Sequence, residues 1–189
     1  MSRSIIFRVI FVVLLALYPL IVYFGLRILP PSFFGLVLAV LLLLRFGIVR
    51  PEERSTALPL IFILLAYAVA SALIGSVTML LYYPVLVNAI LFVVFAGSLR
   101  SGEPLLLRIV RARGIAISSH GPRYLRRLTA FWAGFFVING MIAFWTTTAS
   151  IEIWTLYNGL ISYLLVGALI LGEWTFRRQY KKRHGLSID

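Results

Sequence analysis

The chain has 189 residues, 61% of them hydrophobic, against roughly 45–50% apolar content in a soluble domain, so the surplus must face lipid. It has no cysteine, which excludes disulfides, thiolate metal sites and cysteine nucleophiles. The net charge of +12 would suit nucleic acid, but the basic residues flank apolar runs, where they orient helices and meet anionic headgroups, so no nucleic-acid partner is expected.

The expected fold is all-α: a polytopic membrane helical bundle of about six transmembrane helices plus one amphipathic helix, forming a single integral membrane domain over 1–189. The spans fall at about 5–24, 32–49, 57–75, 77–99, 128–147 and 153–173. Each is long enough to cross ~30 Å of hydrocarbon at about 1.5 Å per residue, with Arg45 snorkelling from the second. The first run follows Arg3, lacks a small-x-small cleavage site and continues into Leu26, so it reads as a retained span rather than a signal peptide. Pro30-Pro31-Ser32 stops one helix and starts the next, since proline in a first turn sacrifices no hydrogen bond. Pro51-Glu52-Glu53-Arg54-Ser55 punctuates the following boundary. Gly75-Ser76 leaves room only for a tight helical hairpin or a bent re-entrant pair.

Charge sets the orientation. On this span assignment all of the 18 Lys and Arg residues except Arg27 lie on one side. The positive-inside rule makes that side, with both termini, cytoplasmic.

The cytoplasmic connection 100–127 carries a helical pattern. Glu103-Pro104 suits a helix start, Leu105, Leu106, Ile109 and Val110 fall on one face, and Arg108 and Arg111 fall on the other. This predicts a cationic helix lying in the inner interface; the alternative is a connection whose leucines pack on the bundle. Arg108, Arg111, Arg126 and Arg127, with Arg177, Arg178, Lys181 and Lys182 of the basic tail 174–189, are candidate contacts to anionic lipid. Trp132, Trp145, Trp154 and Trp174 lie near span ends and read as an aromatic belt.

Chemistry is sparse. The chain has six acidic residues and two histidines, with no pair spaced for a metal and no acid near His120, so neither catalytic residues nor a cofactor is expected. Glu173 stands four residues before Arg177, the favourable order for a helical ion pair. Asn88, Asn139 and Tyr163 fall near the midplane. They form a candidate polar cluster, either lining a cavity or hydrogen-bonding across helices. Ala68 and Ala72, and Ser71 and Gly75, are small residues four apart that favour close helix packing. A short echo joins Tyr18-Pro19-Leu20-Ile21-Val22 to Tyr83-Pro84-Val85-Leu86-Val87, and both prolines read as kinks.

Several blocks together resemble the intracellular septation protein A family of bacterial inner-membrane proteins. They are Leu17-Tyr18-Pro19-Leu20-Ile21-Val22-Tyr23-Phe24, Phe95-Ala96-Gly97-Ser98-Leu99 followed by Glu103-Pro104-Leu105-Leu106-Leu107-Arg108, and Leu128-Thr129-Ala130-Phe131-Trp132-Ala133-Gly134-Phe135-Phe136 with Asn139-Gly140. The last block, with Tyr83-Pro84-Val85-Leu86-Val87-Asn88, is closer to an uncharacterised sister family found with fatty-acid or aryl-polyene synthesis genes. The short Gly75 turn and the arginine-rich connection depart from the family pattern. The resemblance implies an inner-membrane protein of the cell envelope and carries over no catalytic residue. The expected function is therefore non-enzymatic support of envelope or lipid-linked assembly through protein partners. The alternatives are a small transporter or flippase of a lipid-like substrate and, last, a lipid-modifying enzyme.

Overall fold

A computed structural model describes residues 17–49, 54–112, 114–115 and 121–183, with side chains given for all of these except 45, 48, 54–57 and 176–183. Every regular element among the described residues is helical: α1 (17–25), α2 (Pro31–Ile48), α3 (Arg54–Ile74), α4 (Val77–Arg100), α5 (Leu105–Ala112), α6 (Gly121–Thr146), α7 (Ile151–Leu156) and α8 (Ser162–Arg183). A π-turn, Tyr157–Ile161, joins α7 to α8. The earlier part of the expected first span, 5–16, lies outside the described residues.

Among the described residues, three helices are long and apolar enough to cross a membrane: α4, α6 and the stretch Ile151–Thr175. Only 17–22% of the positions in their apolar windows are buried, which leaves a surface suited to lipid and not to water. Shorter apolar stretches occupy Pro31–Leu44 and Leu58–Ile74.

Local chemistry sets the helix ends. Pro30 is extended, at φ −68° and ψ 152°, and Pro31 opens α2 in the first turn, where no N–H is needed. Gly75 ends α3 in the left-handed region at φ 64°, a conformation that glycine adopts without steric cost. The chain reverses there. The Tyr67 hydroxyl donates to the Met79 carbonyl at 2.7 Å, whereas on one continuous helix those residues would sit about 18 Å apart.

The connections before α2, between α3 and α4, and before α7 share one end of the bundle. A Cβ placed on Gly75 would lie 4.0 Å from the Ser32 Cβ. Arg27 attracts Glu152 electrostatically, and Tyr23, Phe24 and Glu152 border a common groove. At the opposite end, the Tyr124 hydroxyl of α6 donates to Glu173 of α8 at 2.8 Å.

The largest helix contacts are α2 with α3 and α4 with α6. The core between them gathers Val22, Phe34, Leu38, Ala68, Leu80 and Trp154. At the α2–α3 crossing Gly35 faces Ala68 and Ala72 so closely that the two backbones touch. Ser71, three residues after Ala68 on α3, is buried, with 1% of its surface exposed. The two echoed segments meet as well, with the Tyr18 and Tyr83 rings 5.0 Å apart and tilted by 54°.

Two expectations need correction. Trp154 is not a belt residue: it is fully buried, and its indole N–H donates to the Leu81 carbonyl at 2.9 Å. Its place near a helix start matters less than its face, which points into α4 at Leu81, three residues before Pro84. Trp145 and Trp174 remain well exposed. The connection does form a helix, α5, but it buries Leu105 and Leu107 while Ile109 is turned outward. The cause is docking: the Leu105 N–H donates to Ser98 Oγ at 2.9 Å, tying the start of α5 to the end of α4, and α5 then packs along α6.

Candidate functional site

The most concentrated polar chemistry lies inside the bundle, where α4, α6 and the π-turn converge. Asn88 stands one turn after Pro84 on α4 and donates from Nδ2 to the Pro84 carbonyl at 2.8 Å. Asn139 of α6 precedes Gly140, where an added Cβ would come within 3.1 Å of the Asn88 Cβ. A glycine at that position lets α6 approach closely enough for the two amides to meet.

They meet directly, with Asn139 Nδ2 donating to Asn88 Oδ1 at 2.9 Å. The same nitrogen donates to Ser162 Oγ at 3.2 Å, and Asn139 Oδ1 accepts from the Tyr157 hydroxyl at 2.8 Å. Asn139 thus uses both amide hydrogens and its carbonyl, which is what a 5% exposed amide requires.

The π-turn makes this arrangement possible. Tyr157 and Ser162 are five residues apart, so on a regular α-helix they would point about 140° away from each other. Here the Ser162 N–H bonds back to the Tyr157 carbonyl, five residues earlier, and this wide turn brings both side chains to one face. Gly159 within the turn packs on Pro19, which an added Cβ would approach to 3.4 Å. A second polar layer lies beside the first, where Asn158 Nδ2 donates to Thr146 Oγ1 at 3.0 Å and to the Trp154 carbonyl at 2.9 Å.

Of the three midplane residues singled out from the sequence, the structure brings Asn88 and Asn139 together. Tyr163 is 43% exposed, and the hydroxyl on Asn139 Oδ1 comes from Tyr157. Sequence reasoning missed Tyr157, Asn158 and Ser162. The available signal was Asn158-Gly159, an amide beside a helix-weakening glycine in an apolar stretch.

The basic residues Arg108, Arg111, Arg126 and Arg127 are exposed. Arg111 reaches Glu103 at 2.8 Å, a solvated pair of small energetic weight. The side chains of Arg177, Arg178, Lys181 and Lys182 lie outside the described set. Glu173 takes a hydrogen bond from Tyr124; its expected pairing with Arg177 involves one of these undescribed side chains.

Comparison with protein-family models, curated proteins and solved structures returned no match.

Proposed function

We propose that this chain is a non-enzymatic, six-span protein of the bacterial inner membrane that supports cell-envelope or lipid-linked assembly through protein partners. The observation that carries this reading is the closure of the Asn139 amide. Its hydrogen-bonding groups are engaged by Asn88, Tyr157 and Ser162, so this amide holds helices together and is not presented to a passenger. The resemblance to envelope proteins points the same way.

The test compares function with folding. In a strain lacking the protein, the envelope phenotype restored by Asn88→Ala, Asn139→Ala and Tyr157→Phe should track the amount of folded protein in the membrane. A variant that stays folded at the normal level yet loses the phenotype would overturn the reading in favour of transport.

The six-span topology draws on the shared end of three connections, on the reversal at Gly75 and on the charge asymmetry. Reporter fusions after Arg54, after Gly121 and at the C-terminus are expected to score cytoplasmic, and a fusion after Ala149 external. A C-terminal fusion scoring external would sink this topology. In this orientation Arg108, Arg126 and the tail cations Arg177, Arg178, Lys181 and Lys182 meet anionic headgroups of the inner leaflet, an attraction that weakens as salt rises.

A further inference from the structure

The π-turn at Tyr157–Ile161 holds one residue more than the α-turn it replaces, because the Ser162 N–H bonds to the Tyr157 carbonyl where an α-helix would use Asn158. Such a turn relaxes to regular helix when the segment before it rotates by about 100° and slides by about 1.5 Å, the step of one helical residue. Here that segment is short. It is α7, of six residues, and it hangs from the irregular connection 147–150.

With α8 held by Ser162 on Asn139, the rotation puts each residue of α7 where its predecessor stood. The sequence is suited to that exchange. Trp154, 0% exposed, donates to the Leu81 carbonyl, and the next residue is Thr155. Tyr157 donates to Asn139 Oδ1, and the next residue is Asn158. In the shifted register the Thr155 hydroxyl turns toward the Leu81 carbonyl and the Asn158 amide toward Asn139, so both acceptors are again offered a donor. Gly159 comes to stand against Thr146, whose own hydroxyl stays bonded to the Ala143 carbonyl.

The described register carries a cost that the shifted one removes. Thr155 is 7% exposed, and its hydroxyl has no hydrogen-bond partner among the described residues. A buried hydroxyl left without a partner is destabilising. Against this, the rotation carries the Trp154 and Tyr157 rings out of the core. In lipid that loss is small, since acyl chains are as apolar as the core, and an indole near a helix start is favoured at headgroup depth. Effects of opposite sign thus act on one short helix, the condition under which two states are both populated.

We infer that the π-turn is a register switch: α7 alternates between an aromatic register, with Trp154 and Tyr157 in the core, and a polar register, with Thr155 and Asn158 in their places. The polar register withdraws two rings from the core and remodels the groove that Thr155 and Leu156 share with Leu20 and Phe24 of α1. Asn139 keeps a donor in both registers, so the switch stands or falls separately from the proposed function.

The test uses the full chain in lipid nanodiscs, labelled with fluorotryptophan and followed by fluorine NMR with saturation transfer, which registers minor states. The chain has four tryptophans, and Trp154→Phe assigns the signal of interest. That signal should show a second state. Tyr157→Phe removes a bond made only in the aromatic register and should raise the second population about threefold. Thr155→Val keeps the shape but removes the donor of the polar register, and should lower that population by on the order of tenfold. Deletion of Leu160, which is 52% exposed, should abolish it. Tyr157 and Ser162 then stand four residues apart and share a face of a regular α-helix, so the aromatic register is kept and the extra residue is gone. A Trp154 signal with no second state in either the parent or Tyr157→Phe, a second state unmoved by Thr155→Val, or one that survives the deletion would each overturn the switch.

Discussion

Asn139→Ala is expected to lower the unfolding free energy by about 2 kcal/mol, measured by denaturant titration of the full chain in detergent micelles. The alanine removes three contacts between helical segments, to Asn88, Ser162 and Tyr157, each worth ~0.6 kcal/mol on average inside a membrane bundle. It also leaves a buried Asn88 carbonyl and Tyr157 hydroxyl without that partner, which keeps the cost near the upper end of the sum. Tyr157→Phe removes one of those contacts and should cost about 0.6 kcal/mol. Asn88→Ala should fall between the two, and the double substitution Asn88→Ala with Asn139→Ala should cost less than the sum of the singles, because they share a bond. If Asn139→Ala cost no more than Tyr157→Phe, Asn139 would not be the hub of the network.

The amide pair was half legible in the sequence. An asparagine in the middle of an apolar stretch announces a buried hydrogen bond, because hydrocarbon offers no water to satisfy it. That reasoning found Asn88 and Asn139. Counting residues along a regular helix points to Tyr163, and the π-turn at Tyr157–Ile161 defeats such counting because it changes which residues share a face. Nothing in a period of 3.6 residues foretells a wide turn; the glycine at 159 is only a weak hint.

The helix boundaries were more legible, because they rest on local chemistry. Pro30-Pro31 and Gly75-Ser76 mark breaks that hold in any tertiary context, and α2, α3 and α4 begin and end beside them. Facing is a different matter. Trp154 lies near a helix start, where an indole commonly meets headgroups, yet its N–H is taken by the Leu81 carbonyl of another helix. In α5 the buried pair is Leu105 and Leu107 because Ser98 anchors the first turn, a contact seven residues away that the amphipathic pattern does not contain. In both cases a tertiary hydrogen bond overrode a reading made from position.

The largest effect is expected at Gly35, where Gly35→Ala should destabilise the bundle by about 3 kcal/mol or more, and Gly35→Leu should yield no folded, monodisperse protein. The added Cβ would lie 2.5 Å from the Ala72 nitrogen, 2.8 Å from the Ala72 Cα and 3.0 Å from the Ala68 carbonyl oxygen. Carbon atoms pack best at about 3.5–4.0 Å, so α2 and α3 must move apart by roughly 1 Å along the contact. All three obstructing atoms are backbone, so no side-chain rotation relieves the clash. Alanine favours a helix over glycine by about 1 kcal/mol, which offsets only part of that cost. Gly47, on the same helix, provides the control: a Cβ there meets nothing within 4 Å, so Gly47→Ala should be neutral or stabilising by up to about 1 kcal/mol. Adding Ala72→Gly should not rescue Gly35→Ala, because removing the Ala72 methyl leaves its nitrogen and Cα in place. Thermal unfolding of the parent, Gly35→Ala, Gly47→Ala and the double variant in one detergent decides the matter. If Gly35→Ala melted with Gly47→Ala, or if Ala72→Gly restored it, the close backbone approach of α2 and α3 would not be what holds this half of the bundle together.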